Sequence, residues 1–199
     1  MTAPGQIVIL NGAPRSGKTS IARAIQASSN EPWMNLGVDL AIQATPPHLR
    51  PGIGLRPGGE RPDLEPFVVV AYRALYASVA AHSMLGLNVV VDVGHHDAYS
   101  KPLGILRDAA ERLSGLPVLL VGVRCPLDVI LSRRAAPGSA GRYDSALEPI
   151  ERWQVEVHRP GIYDLEVDTS VSTPEECAAV IWDRLDGGAT DTALARIRS

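Results

Sequence analysis

One short segment constrains the fold of this chain more than any other: the run "IVILNGAPRSGKTSIARAI" at residues 7–25. An apolar, β-branched run, typical of a buried strand, ends at Gly12, and apolar residues at helical spacing begin after Gly17. The intervening residues satisfy the pattern G-x-x-x-x-G-K-[ST], in which a sharp turn points successive backbone N–H groups at an anion. A strand, a glycine-rich turn and a helix in this order predict a phosphate-binding loop, or P-loop.

The P-loop predicts a site for a nucleoside triphosphate and Mg²⁺. Lys18 is expected to reach the β- and γ-phosphates, and the hydroxyl of Thr19 is expected to ligate the metal. The predicted nucleotide-binding residues are Gly12, Ala13, Pro14, Arg15, Ser16, Gly17, Lys18 and Thr19. The expected cofactors are therefore ATP and Mg²⁺.

The rest of the chain alternates predicted strands with predicted helices. The strands are expected at 6–11, 33–39, 88–93, 117–123 and 163–169. The helices are expected at 17–28, 66–85, 98–115, 126–135, 145–158 and 173–185. Because the strands are apolar on both faces, the pattern predicts an α/β, P-loop kinase-like three-layer sandwich with about five parallel strands and helices on both faces. Residues 1–186 are predicted to form this single domain, and 187–199 a flexible tail.

Composition limits the classes of partner that the sequence predicts. A formal net charge of −3 argues against nucleic acid as the main partner. No run approaches the roughly 20 apolar residues of a membrane span, so no membrane partner is expected. Two cysteines make no disulfide framework, which favours the cytoplasm. The oligomeric state stays open.

Length and missing motifs select a small kinase among P-loop proteins. The chain has no N-K-x-D motif, and its "DVGH" does not match the D-x-x-G of GTPases. The proline-rich stretch 45–66 is a candidate acceptor-binding insertion, and 132–144 a candidate lid. Within the lid, Arg133, Arg134 and Arg142 could stabilise charge on the transferring phosphoryl group, or could simply form a solvated basic turn.

Two carboxylates follow predicted strands. Asp39 could accept the proton of an attacking hydroxyl, or could cap a short helix at 40–45. Asp92 lies where Mg²⁺ would be held through water. Since ligands bind at the carboxyl ends of parallel strands, one crevice is expected to collect Gly12, Asp39, Asp92, Arg124 and Asp168.

Several other side chains are open to two interpretations. His95 and His96 could touch the acceptor or the nucleotide, and a zinc pair is the weaker alternative because no third ligand stands at a suitable spacing. An apolar acceptor pocket or ordinary core packing would equally explain Trp33, Met34, Tyr72, Tyr76 and Trp153.

Four segments together resemble the chloramphenicol phosphotransferase family: "ILNGAPRSGKTS", "EPWMNLGVD", "VGVRC" and "YDLEVDT". Their order and spacing match from about Gln6 to Leu185. The resemblance implies ATP-dependent phosphorylation of a hydroxyl on a small molecule, most directly the primary hydroxyl of chloramphenicol, which inactivates that antibiotic. It also implies that Asp39, the aspartate of "GVD", is the general base, and that the P-loop roles belong to Gly12 through Thr19.

Three functions remain to be separated. The leading hypothesis is a small-molecule O-kinase with Asp39, Lys18, Arg133 and Arg142 as catalytic residues. A nucleotide or polynucleotide 5′-kinase is the second, favoured by the basic residues His48, Arg50, Arg56 and Arg61 of the insertion. The third is a nucleotide-binding sensor without acceptor chemistry.

Overall fold

The computed structural model describes residues 3–50, 55–56, 59–136, 147–187 and 192–199, with no side-chain description for 51–60 and 147–149. In these ranges the strands are β1 Ile7–Asn11, β2 Trp33–Asn35, β3 Leu55–Arg56, β4 Gly59–Glu60, β5 Asn88–Val93, β6 Val118–Arg124 and β7 Leu165–Asp168. The helices are α1 Lys18–Ser28, α2 Val38–Ala44, α3 Glu65–Met84, α4 Ile105–Arg112, α5 Leu127–Ala135, α6 Leu147–Glu156, α7 Pro174–Asp186 and α8 Ala193–Arg198, with a 3₁₀ turn at Pro47–Leu49.

Five of the strands form one parallel sheet, in the order β2-β5-β1-β6-β7. β1 lies at its centre, and its five residues are all buried. β3 and β4 form a separate antiparallel pair. The predicted α/β fold with about five parallel strands is confirmed.

The alternation of side chains along the strands divides the core between two faces. Ile7 and Ile9 of β1 face α3, α4 and α8, whereas Val8 and Leu10 face α1 and α7. Both faces are therefore covered by helices, which makes the fold the three-layer sandwich expected from strands that are apolar on both sides.

Helix α7 begins with the hydrogen bonds that its sequence encodes. The Thr173 hydroxyl accepts a hydrogen bond from the Glu176 N–H, and the Glu176 carboxylate accepts one from the Thr173 N–H. This capping box satisfies two N–H groups that a helix start leaves without partners. It fixes where the loop after β7 ends, and that loop borders the site described below.

Two predicted boundaries were wrong near the site. The second strand ends at Asn35 rather than at residue 39, because the Asn35 side chain accepts a hydrogen bond from the Gly37 N–H at 3.2 Å and the chain turns there. Asp39 therefore lies in the first turn of α2. The helix expected from residue 98 begins only at Ile105, because the Asp97 carboxylate accepts the Leu103 and Gly104 N–H groups and holds the preceding residues as a loop.

The expectation of a flexible C-terminal tail was wrong for α8. Ala193 and Leu194 are buried in the core on the α3 and α4 side of the sheet. The Ala193 N–H also donates to the Asp164 carboxylate at 2.6 Å. Buried apolar contacts and hydrogen bonds such as this one anchor a helix too short for its sequence pattern to reveal.

Helix α3 is the one helix in the described ranges that is long and apolar enough, by length and composition, to cross a membrane. Its inward side chains, among them Val68, Tyr76 and Val79, are buried against the sheet and its neighbours. Core helices of proteins that do not cross a membrane can pass the same test, so one such helix is weak evidence for a membrane span.

Candidate active site

The P-loop joins the central strand to α1 at the carboxyl edge of the sheet. Arg15 has φ 69° and Gly17 has φ 94°, so two left-handed residues flank Ser16. Gly12 has no room for a side chain, since a Cβ there would lie 2.5 Å from the Val123 carbonyl oxygen. Turns of alternating handedness gather backbone N–H groups around a small concavity, the geometry that binds phosphate.

Lys18 lies across this loop. Its Nζ donates to the carbonyl oxygens of Gly12 at 2.9 Å and Ala13 at 2.8 Å. Burial of the ammonium lowers the pKa of Lys18 to about 8, and the negative charges of Asp92 and Asp39 oppose that shift. Lys18 is therefore held as a cation at neutral pH in the place where negative phosphate oxygens would repay its desolvation.

Thr19 and Asp92 form a direct pair. The Thr19 hydroxyl donates to Asp92 Oδ2 at 2.7 Å. Gly37 makes space for this carboxylate, because a Cβ on Gly37 would lie 1.8 Å from Asp92 Oδ1. A hydroxyl and a carboxylate side by side fit Mg²⁺, a hard cation that takes one or two protein oxygens and draws its other ligands from phosphate and water.

Groups of three or more His, Cys, Asp or Glu side chains placed to hold a metal do not occur among the described residues. His95 and His96 accordingly do not belong to such a group. Thr19 and Asp92 are the pair in the cleft that could hold Mg²⁺.

A cleft of about 680 Å³ runs over this edge of the sheet. Its lining joins the P-loop to residues distant in sequence: Gly12, Pro14, Arg15, Gly17, Lys18, Thr19, Ser20, Val38, Asp39, Asp92, Val93, Gly94, Arg133, Trp153, Thr169, Ser172 and Pro174. Asp39 faces the cleft from α2 with an exposed side chain. The structure thus brings Asp39, Lys18 and Asp92 together, although it moves Asp39 from a strand end to a helix start.

Arg124 and Asp168 are not part of the cleft lining. Arg124 forms an ion pair with Glu166 at 2.5 Å, and its guanidinium lies over the Tyr163 ring. The Asp168 carboxylate accepts hydrogen bonds from the N–H and hydroxyl of Ser170, in the loop after β7. Both occupy strand ends as expected, but their side chains serve the neighbouring strand and turn.

Of the two arginines predicted as catalytic, one can be placed. Arg133 lines the cleft and donates to the Thr169 carbonyl oxygen at 2.6 Å and to the Thr169 hydroxyl at 3.0 Å. It also donates to the Arg15 carbonyl oxygen at 3.3 Å. Arg142 lies outside the described residues, as does most of the predicted lid.

The two histidines after β5 are buried. The imidazole of His95 shares a hydrogen bond with the Tyr76 hydroxyl, and burial lowers the pKa of His95 to about 3. His96 stacks on Tyr99 and meets the edge of Trp153. His95 is consequently a neutral core residue, while His96 and Tyr99 lie behind Trp153 at the cleft.

The aromatic residues divide between core and cleft. Trp33 packs edge-on against Trp182 in the core beneath α1 and α7, whereas Trp153 lines the cleft beside Gly94. Tyr72 and Tyr76 pack around His95. Met34 is exposed and is not part of the cleft lining. Of the five residues predicted as a possible acceptor pocket, only Trp153 therefore lines the cleft.

Two positions were missed by the sequence reasoning. The Asn11 side chain donates to the Val157 carbonyl oxygen at 2.8 Å and accepts from the His95 N–H at 2.7 Å, which links β1 to the residue that follows α6 and to the loop after β5. Thr169 contacts the P-loop directly. Asn11 could have been found as a polar residue ending an apolar strand, and Thr169 as the residue that follows Asp168 at the same sheet edge.

Comparison with known proteins decides the family. A family model described as chloramphenicol phosphotransferase-like protein matches residues 5–186. The chain belongs to the chloramphenicol phosphotransferase-like family. The resemblance inferred from the four sequence segments is thereby confirmed.

Members and fold relatives agree with this placement. A candidate O-phosphotransferase of Mycobacterium tuberculosis is 27% identical over 208 residues, an alignment that covers 98% of this chain and 88% of the relative. The solved structure of the APS kinase CysC of M. tuberculosis in complex with AMPPNP and APS aligns with a TM-score of 0.65 at 17% identity, covering 92% of this chain and 99% of that one. Shikimate kinase of Acinetobacter baumannii in complex with shikimate aligns with a TM-score of 0.60 at 13% identity, covering 96% and 97%. These structural likenesses show that this chain has the fold of P-loop kinases. Its family supports its identification as a kinase-like phosphotransferase.

Proposed function

We propose that this protein transfers the γ-phosphoryl group of ATP to a hydroxyl group of a small molecule, with chloramphenicol or another hydroxylated antibiotic as the leading acceptor. One observation carries the proposal. The carboxylate of Asp39 faces the same cleft as Lys18 and the Thr19–Asp92 pair. A phosphate-binding loop and a free carboxylate across one cleft suit phosphoryl transfer to an alcohol.

The phosphates are expected to lie on the P-loop. The backbone N–H groups of residues 12–19 would bind them, and Lys18 would leave the carbonyl oxygens of Gly12 and Ala13 to contact the β- and γ-phosphates. Thr19 and Asp92 would hold Mg²⁺, Asp92 through water, and the metal when bound would neutralise charge on the β- and γ-oxygens.

Asp39 is proposed to act on the acceptor. The acceptor oxygen attacks the γ-phosphorus, the new O–P bond forms, and the bond from that phosphorus to the β–γ bridging oxygen breaks. The proton of the acceptor hydroxyl passes to the Asp39 carboxylate, and ADP leaves with the electron pair of the broken bond. Lys18 stabilises the charge that builds on the transferring group.

The arginines take different parts in this proposal. Arg133 braces the P-loop in the structure, and it lines the cleft, so it can add positive charge beside the phosphates. Arg142 remains a candidate lid residue on the strength of the sequence alone. The buried free cysteines Cys125 and Cys177 accord with a protein that works in the reducing cytoplasm.

The basic insertion gives little support to a polynucleotide acceptor. Arg50 donates to the carbonyl oxygens of Thr45 at 2.7 Å and Gln43 at 3.3 Å, where it stabilises the end of α2. Arg61 pairs with Asp63. Two of the four basic residues are thus already engaged within the chain.

The first experiment measures product directly. The purified protein is incubated with ATP and Mg²⁺ and a panel containing chloramphenicol, other hydroxylated antibiotics and a 5′-hydroxyl oligonucleotide, and products are identified by mass spectrometry. Asp39→Asn is expected to lower turnover by roughly 10²–10⁴-fold, the usual contribution of a general base, with ATP still bound. The exposed Asp183 on α7 supplies the matched control, Asp183→Asn, which is expected to keep full turnover.

Each outcome has a distinct meaning. Phosphorylated chloramphenicol that disappears with Asp39→Asn supports the whole proposal. A product on another small molecule keeps the mechanism and replaces the acceptor. Phosphorylation of the oligonucleotide alone, or full turnover by Asp39→Asn, contradicts the proposal.

A further inference from the structure

The conformation of the P-loop depends on which way one peptide group faces. The peptide between Ser16 and Gly17 lies between the two left-handed residues Arg15 and Gly17. In a trans peptide the carbonyl and the N–H point in opposite directions. Whatever holds the Ser16 carbonyl outward therefore turns the Gly17 N–H inward, toward the phosphate concavity.

Thr169 holds that carbonyl. Its hydroxyl donates to the Ser16 carbonyl oxygen at 2.7 Å. Its methyl group lies against Gly17, where a Cβ on the glycine would be 3.2 Å from Thr169 Cγ2. No described residue accepts a hydrogen bond from the Gly17 N–H, which leaves this donor for a ligand.

Thr169 is itself fixed from two directions. Its N–H donates to the Arg124 carbonyl oxygen at 3.1 Å, which continues the register of β7 with β6. Its hydroxyl oxygen accepts from Arg133 Nη1 at 3.0 Å. The single hydroxyl proton goes to the Ser16 carbonyl oxygen at 2.7 Å in preference to the Arg124 carbonyl oxygen, which is 3.5 Å away. The sheet and α5 thus position the hydroxyl, and the hydroxyl positions the P-loop.

We infer that Thr169 is a positioning residue of the nucleotide site, whose hydroxyl turns the Ser16–Gly17 peptide so that the Gly17 N–H is aimed at a bound phosphate. This inference rests on the proposed nucleotide site. It concerns the phosphate side of that site alone. Among the described residues, the hydroxyl hydrogen-bonds only to Ser16 of the loop and to Arg124 and Arg133, which fix Thr169.

The test compares affinities for ADP and for adenosine. Thr169→Val removes the hydroxyl at nearly constant volume and keeps the methyl beside Gly17. It is expected to weaken ADP binding about tenfold, as the loss of a well-aimed hydrogen bond would. Thr169→Ser keeps the hydroxyl and is expected to stay within about twofold of the wild type. Adenosine, which has no phosphate, is expected to bind all three proteins equally.

A neighbouring hydroxyl provides the control. Ser170 donates to the Asp168 carboxylate at 2.6 Å and makes no hydrogen bond with the P-loop among the described residues. Ser170→Ala is therefore expected to leave ADP affinity unchanged. Calorimetric titrations are run at a temperature where melting curves show every variant folded, and Thr169→Ala replaces Thr169→Val if the valine variant does not fold.

Three results would overturn the inference: unchanged ADP affinity in Thr169→Val, an equal loss of ADP and adenosine affinity, or a serine variant as weak as the valine variant. The first shows that the hydroxyl does not contribute to phosphate binding, and the second that it acts on the whole pocket. The third shows that any change of this side chain disturbs the loop, so that the hydroxyl has no specific role. A wild-type protein that binds no ADP removes the proposed function itself, and this inference with it.

Discussion

The two walls of the cleft differ in whether backbone groups or side chains form them. The proposed nucleotide wall, defined as Gly12–Thr19 with Asp92 and Thr169, relies on backbone groups: Lys18 and Thr169 both donate to main-chain carbonyl oxygens of the loop. The proposed acceptor wall, defined as Val38–Asp39, Gly94 and Trp153 with His96 and Tyr99 behind them, relies on side chains.

Because backbone groups form one wall and side chains the other, a substitution can alter acceptor binding without altering phosphate binding. Backbone N–H groups are supplied by any residue, so the nucleotide wall needs a spacing of glycines rather than a particular surface. The acceptor wall is formed by side chains of α2, the loop after β5 and α6, so each substitution there alters its surface. A shared fold therefore predicts the donor of the phosphoryl group far better than its acceptor.

The largest expected effect comes from the charge on the nucleotide wall. Lys18→Met should lower kcat/KM by roughly 10³-fold or more with every acceptor, because it removes a cation from the transferring phosphoryl group. Steady-state kinetics measures this. The only other lysine, Lys101, is exposed, so Lys101→Met is the matched control. An acceptor whose turnover survives Lys18→Met would break the comparison, since the two walls would then not share one reaction.

The next largest effect is expected from a substitution at Gly37, which adjoins Val38 of the acceptor wall and Asp92 of the nucleotide wall. Gly37→Ala would place a Cβ 1.8 Å from Asp92 Oδ1 and must displace that carboxylate from Thr19. We expect the Mg²⁺ concentration for half-maximal activity to rise about tenfold, and overpacking to lower the free energy of unfolding by about 1–3 kcal/mol. Magnesium titration and denaturant unfolding measure these effects. Gly187→Ala, where the nearest atom is 3.5 Å away, is the control, and an unaltered magnesium requirement in Gly37→Ala would count against Asp92 as the metal site.

A change behind the acceptor wall should affect only the acceptor. The buried Glu65 carboxylate accepts the Ser100 N–H at 2.8 Å and the Ser100 hydroxyl, which fixes the loop that carries His96 and Tyr99. Glu65→Gln weakens these charged hydrogen bonds and should raise KM for the acceptor by about threefold to tenfold, with KM for ATP unchanged. The exposed Glu111 offers a control in Glu111→Gln. A rise in KM for ATP instead would show that the two walls are not independent.

The smallest expected effect is on the free energy of unfolding, and it is expected only at acidic pH. The pKa of His95 is lowered to about 3 by burial, against about 6.5 in an unfolded chain. Below pH 6.5 the unfolded chain binds a proton that the folded one does not, so stability is full above that pH and declines as pH falls. Between pH 6.5 and 4.5 the loss from this group should be about 2 kcal/mol.

His95→Gln should remove that part of the pH dependence, while His48→Gln, at an exposed position, should not. Chemical denaturation across this pH range measures the slope. An unchanged slope in His95→Gln would mean that the buried imidazole is protonated in the folded protein.

The sequence alone predicted the proposed phosphate site, the five strands of the parallel sheet with the six helices that alternate with them, and the family. These depend on local relations: a glycine spacing between a strand and a helix, apolar runs of strand length, and the capping box of α7. Local patterns survive in the sequence because the residues that cooperate are near one another along the chain.

The tertiary structure decided what long-range contacts control. It moved Asp39 to the first turn of α2, anchored α8 through Asp164, and brought Thr169 to the Ser16 carbonyl. Thr169 and Ser16 are 153 positions apart, so no spacing rule links them. Such contacts depend on the packing of strands β1, β6 and β7 side by side, which only the folded sheet establishes.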